Sequence, residues 1–134
     1  MNIFRAYNPD IAKLIYKDIP LSDTHDRIID GMELFDRMTD YPENTCVIIC
    51  ADGITLKGFI YGWTVSNRDF VWCQCAWADK SIGQENVDIA VEMFFTWIKS
   101  KGYKRVQMMT KRPKGFMRKY GFSQYAVVME RILE

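Results

Sequence analysis

The pattern that most constrains the fold is an amphipathic stretch that starts near Asn86 and ends at Gly102. Its apolar residues recur every three or four positions, a spacing that places side chains on one face of an α-helix. They are Val87, Ala90, Val91, Phe94, Trp97 and Ile98. Asn86 is a suitable N-cap, and Gly102 stands at the expected C-terminal cap. We therefore expect a long helix whose apolar face crosses a β-sheet.

Three strand-like segments precede this helix, and short turns join them. Residues 46–51 form a continuous apolar run, and residues 56–65 and 70–77 are rich in β-branched and aromatic side chains. The Asp-Gly pair after the first segment is typical of a hairpin turn, and residues 66–69 (Ser-Asn-Arg-Asp) favour a second turn. The sequence therefore predicts an antiparallel three-stranded meander ahead of the helix.

The N-terminal part predicts a short strand at 4–7 followed by a short helix. Asn8 supplies an N-cap and Pro9 a proline at the first helical position, whereas Pro20 stops the helix. The apolar residues of this helix are Ile11, Leu14 and Ile15.

A second helix is predicted to follow, with Ser22 or Thr24 as its cap, and to end at Asp40-Tyr41-Pro42. Its apolar face is predicted from Ile28, Met32 and Phe35, widened by Ile29 and Met38.

After the long helix, the sequence predicts a strand at 105–110, a short helix from Pro113 to Lys119 that ends at Gly121, and a last strand at 125–132. A strand, a long helix and another strand imply a parallel pairing of the two strands. The predicted fold is an α/β single domain, 1–134, with a mixed sheet in a three-layer sandwich of order β-α-α-β-β-β-α-β-α-β.

Composition excludes several classes of protein. A chain of 134 residues matches one domain with one core. The formal net charge of +1 provides no global field for nucleic acid or an anionic membrane. Because no apolar run is long enough to span a bilayer and the N-terminus has no leader pattern, we expect a cytoplasmic protein.

The four cysteines fall in strand-like segments and are expected to be buried and reduced. Cys73 and Cys75 are predicted to share one face of a strand. They are accompanied by no Cys-x-x-Cys pair or histidine cluster, so we expect no metal site.

Three segments give the chain a family resemblance. The Asp52-Gly53 hairpin is followed by Gly58-Phe-Ile, residues 80–85 read Lys-Ser-Ile-Gly-Gln-Glu, and residues 116–122 read Phe-Met-Arg-Lys-Tyr-Gly-Phe. In this order and spacing they resemble motifs of the GNAT N-acetyltransferase superfamily, and the chain looks like a divergent member. The element order covers nearly the whole chain, whereas the motifs match only from about residue 50 and none is complete.

The resemblance implies a binding site for acetyl-CoA as cosubstrate, with no metal. Family members bind the coenzyme pyrophosphate with backbone N–H groups where the long helix begins, since the helix dipole favours an anion there. The corresponding residues are Lys80, Ser81, Ile82, Gly83, Gln84, Glu85 and Asn86. By position, the backbones of Cys75 and Trp77 would bind the pantetheine arm. An ordinary helix start, with Glu85 favouring the positive helix end, explains the same residues.

Two residues depart from the family pattern. Glu85 replaces a small residue and places a negative charge beside the expected phosphates. Met117 replaces the tyrosine that many family members use as general acid, and methionine cannot donate a proton. Tyr120 lies one turn further along and is the candidate catalytic residue, with packing under the sheet as the alternative. His25, the only histidine, is expected to be solvated or to cap a helix.

Two functions follow from the resemblance. The first is an acyl-CoA-dependent N-acyltransferase that acts on a small-molecule or protein amine. The second is a GNAT-fold protein that has lost catalysis and binds a protein partner or a second copy of itself, as an assembly module in a larger particle or as a phage-encoded factor. Glu85 and Met117 favour the second.

Overall fold

A computed structural model describes residues 1–17, 19–21 and 25–133 of the chain. Within these residues the strands are β1 (Asn2–Ala6), β2 (Thr45–Asp52), β3 (Thr55–Thr64), β4 (Val71–Ala78) and β5 (Val106–Met108). The α-helices are α1 (Ile11–Lys17), α2 (Arg27–Asp40), α3 (Gln84–Ser100) and α4 (Pro113–Tyr120).

The strands form one mixed sheet in the order β1-β2-β3-β4-β5. The first four strands are antiparallel neighbours, and β5 pairs with β4 in parallel. The turn before β3 uses Gly53 at φ 60°, and the turn before β4 uses Asn67 at φ 61°. The helix α3 provides the crossover that a parallel pair requires. The predicted meander and parallel pairing are both confirmed.

Helices cover the sheet on both faces. One cluster of buried residues joins α1 and α2 to the sheet, and a second cluster joins α3 to the opposite face. The strand β2 is buried on both faces from Thr45 to Cys50, because it lies between the two layers. Five of the six residues predicted for the apolar face of α3 are buried, and the sixth, Val87, is half-buried; the five are Ala90, Val91, Phe94, Trp97 and Ile98. The predicted α/β three-layer sandwich is confirmed.

The predicted face of α2 is partly wrong. Ile28 and Met32 are 75% and 63% exposed, whereas Leu34 and Met38 are buried. The reason is the neighbouring helix: a Cβ atom at Gly31 would be 3.5 Å from the Tyr16 ring, so α1 packs close to the Gly31 side of α2. Sequence periodicity alone did not show where α1 lies.

Helix caps also differ from prediction. The cap of α2 is Asp26, whose carboxylate accepts hydrogen bonds from the backbone N–H groups of Ile28 and Ile29. The predicted caps Ser22 and Thr24 lie outside the described residues. Asn86 is not the N-cap of α3, since the helix begins at Gln84 and the Asn86 amide donates to the Ile82 carbonyl.

The predicted last strand is absent from the described residues, because 123–133 form no helix or strand. The preceding part matches prediction, with α4 followed by Gly121 in the left-handed region at φ 72°. In the first helix, Ile15 is buried as expected but Leu14 is 53% exposed. No helix among the described residues is long and apolar enough to cross a bilayer.

Candidate functional site

The strand β4 has a bulge at Gln74. In the ladder with β3, Tyr61 pairs with Cys75 and Gly62 pairs with Cys73, so Gln74 has no opposing residue. The parallel ladder with β5 ends at the same place, where Cys73 pairs with Met108. From Gln74 to Ala78, the outer edge of β4 therefore has no ladder partner among the described strands.

The bulge also reverses the alternation of side chains along β4. Cys73 is buried in the cluster beneath α3, whereas Cys75 is buried in the cluster beneath α1 and α2. The prediction that the two thiols share a face is wrong, because the extra residue shifts the strand by one position. All four cysteines are buried and free, as predicted. Burial raises the pKa of Cys75 to about 12, so this thiol stays protonated at neutral pH.

Beside the free edge of β4 lies a cleft of about 220 Å³. Its walls come from the ends of β3 and β4, the first turns of α3, and α4. Of the residues predicted to bind coenzyme, Trp77, Ile82 and Gln84 line this cleft. The candidate Tyr120 lines it as well, together with the cationic side chains of Arg112 and Lys119.

The loop before α3 is a tight turn held by Asp79. The Asp79 carboxylate accepts hydrogen bonds from the Ser81 backbone N–H and hydroxyl, and these bonds lower the pKa of Asp79. Lys80 is exposed, whereas Ile82 is buried. Gly83 has φ 84°, which favours glycine, and it precedes the helix with no side-chain cap.

A polar network joins α4 to the start of α3. The Tyr120 hydroxyl donates to Asp88 at 2.8 Å, and Lys119 Nζ donates to Gln84 Oε1 at 2.8 Å. Burial and the hydrogen bond to Asp88 raise the pKa of Tyr120 to about 12. Glu85 is exposed next to this network, and Met117 is 47% exposed and does not line the cleft.

On the α1–α2 face of the sheet, side chains connect the bulge to His25. Trp72 Nε1 donates to Gln74 Oε1 at 2.6 Å, and Gln74 Nε2 donates to Asp30 Oδ1 at 3.3 Å. The second oxygen of Asp30 lies 3.0 Å from His25 Nδ1. The His25 and Asp30 side chains are only 10% and 15% exposed. The expectation of a solvated or capping His25 is therefore wrong.

Sequence reasoning missed this network because its members come from separate elements. Asp30 and Gln74 are 44 positions apart, and no local motif marks either of them. A carboxylate only accepts hydrogen bonds, so a neutral His25 bonded to Asp30 carries its proton on Nδ1 and has a lone pair on Nε2. Tyr16 lies nearby, and burial, with the negative charges of Asp30 and Glu33, raises the pKa of its hydroxyl.

Among the described residues, no three His, Cys, Asp or Glu side chains are grouped closely enough to hold a metal ion. The site combines an apolar cleft on one side of the bulge with a half-buried histidine–carboxylate pair on the other.

No protein-family model and no curated protein sequence matches this chain. Solved structures do match it. An aminoglycoside 6'-N-acetyltransferase from Acinetobacter haemolyticus has a TM-score of 0.71 at 9% identity, with all of both chains covered. Glucosamine-6-phosphate N-acetyltransferase from Arabidopsis thaliana has a TM-score of 0.65 at 11% identity, also with both chains fully covered.

A third similar structure is a predicted acetyltransferase from Clostridium acetobutylicum, solved with acetyl-CoA. Its TM-score is 0.68 at 11% identity, with 98% of this chain and 95% of that chain covered. Identities this low establish the fold and leave the activity open. The chain has the fold of the GNAT acetyltransferases, as a divergent example of it.

Proposed function

We propose that this protein transfers an acetyl group from acetyl-CoA to an amine. The observation that carries the proposal is the bulge at Gln74, where β4 parts from β5 and leaves backbone groups free beside a cleft. Bulges that terminate pairing in this way are common next to active sites. Structural neighbours include acetyltransferases solved with acetyl-CoA and with a bisubstrate analogue of CoA.

The cleft suits the pantetheine arm of coenzyme A, which is long, narrow and linked by amides. The apolar walls, among them Trp77, Ile82 and Phe116, would contact the arm, and the free edge of β4 offers donors and acceptors for its amides. Arg112 and Lys119 place positive charge where the phosphates would lie. The negative charge of Glu85 would repel the same phosphates.

Acetyl-CoA would supply the acetyl group as a thioester. A thioester reacts with an amine only when the amine is unprotonated. We assign His25 as the base that removes the amine proton, because Asp30 fixes its ring through Nδ1 and no described residue forms a hydrogen bond with Nε2, which can accept the proton. Tyr120 is the candidate acid. In the structure its hydroxyl donates to Asp88, so the hydroxyl would have to turn toward the cleft to act.

Binding is tested by thermal unfolding with and without acetyl-CoA. At 100 times its dissociation constant, a ligand adds about 2.7 kcal/mol, which should raise the melting temperature of this domain by about 5–15 °C. Turnover is tested by release of the CoA thiol with a panel of amines that includes aminoglycosides and glucosamine 6-phosphate, the substrates named for structural neighbours. No thermal shift at millimolar acetyl-CoA would overturn the proposal.

Glu85→Gln should tighten acetyl-CoA binding. Repulsion between a carboxylate and a phosphate about 4 Å away is worth roughly 1–4 kcal/mol, and because Glu85 is exposed we expect about 1 kcal/mol, or about fivefold in Kd. Isothermal titration measures the change. The matched control is Glu92→Gln, an identical charge change at an exposed position two turns further along α3. Equal effects of both changes would show that only overall charge matters.

The second candidate function is a binding module without catalysis. Two hydrogen bonds between α4 and the start of α3 favour it: Tyr120 donates to Asp88, and Lys119 donates to Gln84. These bonds occupy donors that the coenzyme would need. In that case acetyl-CoA would leave the melting temperature unchanged, while a partner captured by the purified protein would raise it.

A further inference from the structure

The helix α4 lies on the protein surface with little burial. None of its eight residues, all of which the structure describes, is buried, whereas α3 has five buried residues. Only Phe116 and Tyr120 are half-buried, and the Phe116 ring contacts the Phe122 ring with the two centroids 5.7 Å apart. Elements that bury few apolar side chains open at a low cost in free energy. The position of α4 therefore depends strongly on its polar contacts.

Those contacts form a ring of hydrogen bonds between α4 and the first turns of α3, which we call the polar clamp. Two of its side chains, Lys119 and Tyr120, belong to α4, and two, Gln84 and Asp88, belong to α3. Lys119 Nζ donates to Gln84 Oε1 at 2.8 Å. The Gln84 amide nitrogen donates to the Tyr120 hydroxyl oxygen at 3.0 Å and to Asp88 Oδ1 at 2.7 Å. The Tyr120 hydroxyl donates to the same Asp88 oxygen at 2.8 Å, so Asp88 accepts from both helices.

The clamp places α4 as one wall of the cleft beside β4. Gly115, Phe116, Lys119 and Tyr120 of α4 line this cleft, whose volume is about 220 Å³. Pockets that bind small molecules and cofactors have volumes of roughly 300–1,000 Å³. The lining suits the coenzyme arm, but the space is too small for the arm while α4 stays in place. Entry of the coenzyme therefore requires α4 to move outward.

Both ends of α4 allow such a movement. Pro113 starts the helix after residues 109–112, which form no helix or strand, and Gly121 ends it in the left-handed region at φ 72°. Residues 123–133 form no regular element either. Segments of this kind absorb the backbone rotations by which lids open. The helix can therefore move without displacing a neighbouring strand.

We propose that α4 is a lid over the coenzyme cleft and that the polar clamp keeps this lid closed until coenzyme binds. The inference rests on the proposed function, because it concerns entry to the same cleft. A coenzyme phosphate would bind the Lys119 ammonium in place of Gln84 Oε1, and a contact between two charged groups is stronger than one with an uncharged amide. Once α4 moves outward, Tyr120 separates from Asp88. Its hydroxyl is then free to turn toward the cleft, as the candidate acid must.

The clamp should lower the apparent affinity for coenzyme, since only molecules with an open lid bind it. Asp88→Ala removes the shared acceptor, and Tyr120→Phe removes the hydroxyl without a change of charge. With about 10% of the unmodified molecules open, each variant should lower the Kd for acetyl-CoA about tenfold. The double variant should gain little more than either single one, because both changes break the same clamp. Isothermal titration measures all four values.

A charge control and a measurement without coenzyme separate the lid from simpler effects. Glu92→Ala removes a carboxylate from an exposed position one turn beyond Asp88 and leaves the clamp intact, so it should change the Kd much less. Without coenzyme, the α4 amides of both clamp variants should exchange hydrogen about tenfold faster than in the unmodified protein, because so short a helix is unstable once it leaves the surface. Exchange in α3 from Ala90 onward should stay unchanged.

The outcomes separate the lid from the proposed function. Unchanged exchange in α4 would overturn the lid, and the proposed function would stand if acetyl-CoA binds. The lid is also overturned if the clamp variants bind acetyl-CoA no more tightly than the unmodified protein does, or if Glu92→Ala tightens binding as much as Asp88→Ala. Faster exchange with no acetyl-CoA binding to any variant would overturn the proposed function and, with it, the role of the lid in coenzyme entry.

Discussion

His25→Ala should lower kcat for acetyl transfer by about 10²–10⁴-fold, the usual contribution of a general base. The reason is geometric: Asp30 holds Nδ1 at 3.0 Å, so Nε2 is the atom left to accept the amine proton. The KM for acetyl-CoA should change little, because His25 lies on the α1–α2 face, whereas the proposed coenzyme cleft lies beside α3 and α4. Steady-state kinetics with saturating amine measures both quantities.

A base gives a readout that a purely structural residue would not. Added imidazole should restore part of the rate. Asp30→Asn should also lower kcat, since it removes the carboxylate that orients the ring.

Asp36→Asn is the matched control for Asp30→Asn, because it makes the same change at an exposed position on the same helix. It should leave kcat unchanged. A His25→Ala variant with unchanged kcat would remove His25 from the mechanism. If acetyl-CoA binds but neither His25→Ala nor Asp30→Asn lowers kcat, the proposed coenzyme site stands and another residue must act as the base.

Gly62→Ala should destabilise the protein by about 3 kcal/mol, near the upper end of the range for overpacked sites. A Cβ atom at this position would lie 2.2 Å from the Trp72 carbonyl oxygen and 3.0 Å from both Cys73 Cα and Phe94 Cζ. Two of these three atoms belong to the backbone of the facing strand β4, so the strands must move apart at the bulge. Chemical denaturation should show the loss in free energy of unfolding, and thermal unfolding should show a melting temperature lower by about 10 °C.

Two other glycines serve as controls for this clash. At Gly58, on the same strand, the nearest atom to an added Cβ is the end of the Ile82 side chain at 2.8 Å, which can move, so Gly58→Ala should cost less. At Gly115, in α4, nothing lies within 4 Å, and Gly115→Ala should stabilise by about 0.5–1 kcal/mol. Equal stabilities of the Gly62 and Gly58 variants would mean that the bulge is not a rigid feature.

The bulge connects stability with function. The residue opposite Gly62 is Cys73, directly before Gln74, and Gln74 donates to the Asp30 carboxylate that holds His25. A Gly62→Ala chain that still folds should therefore lose activity as well, since the strand separation would move Gln74.

The proposed coenzyme side of the site was more accessible to sequence reasoning than the proposed acceptor side. Gly83 and the residues around it form one continuous stretch, so a local motif could point to them, and Trp77, Ile82 and Gln84 do lie together in one cleft. The proposed acceptor side depends on His25, Asp30 and Gln74, which come from a loop, a helix and a strand. A bulge of one residue leaves no mark in composition or periodicity.

Local patterns were enough to predict the order of elements from β1 to α4, the antiparallel meander and the buried face of α3, because these depend on periodicity and turn chemistry that neighbouring residues carry. Tertiary structure decided which side of α2 faces the core, on which faces Cys73 and Cys75 lie, and how His25 meets Asp30. It also decided that residues 123–133 form no strand. These outcomes depend on contacts between residues distant in the chain, which no local pattern records.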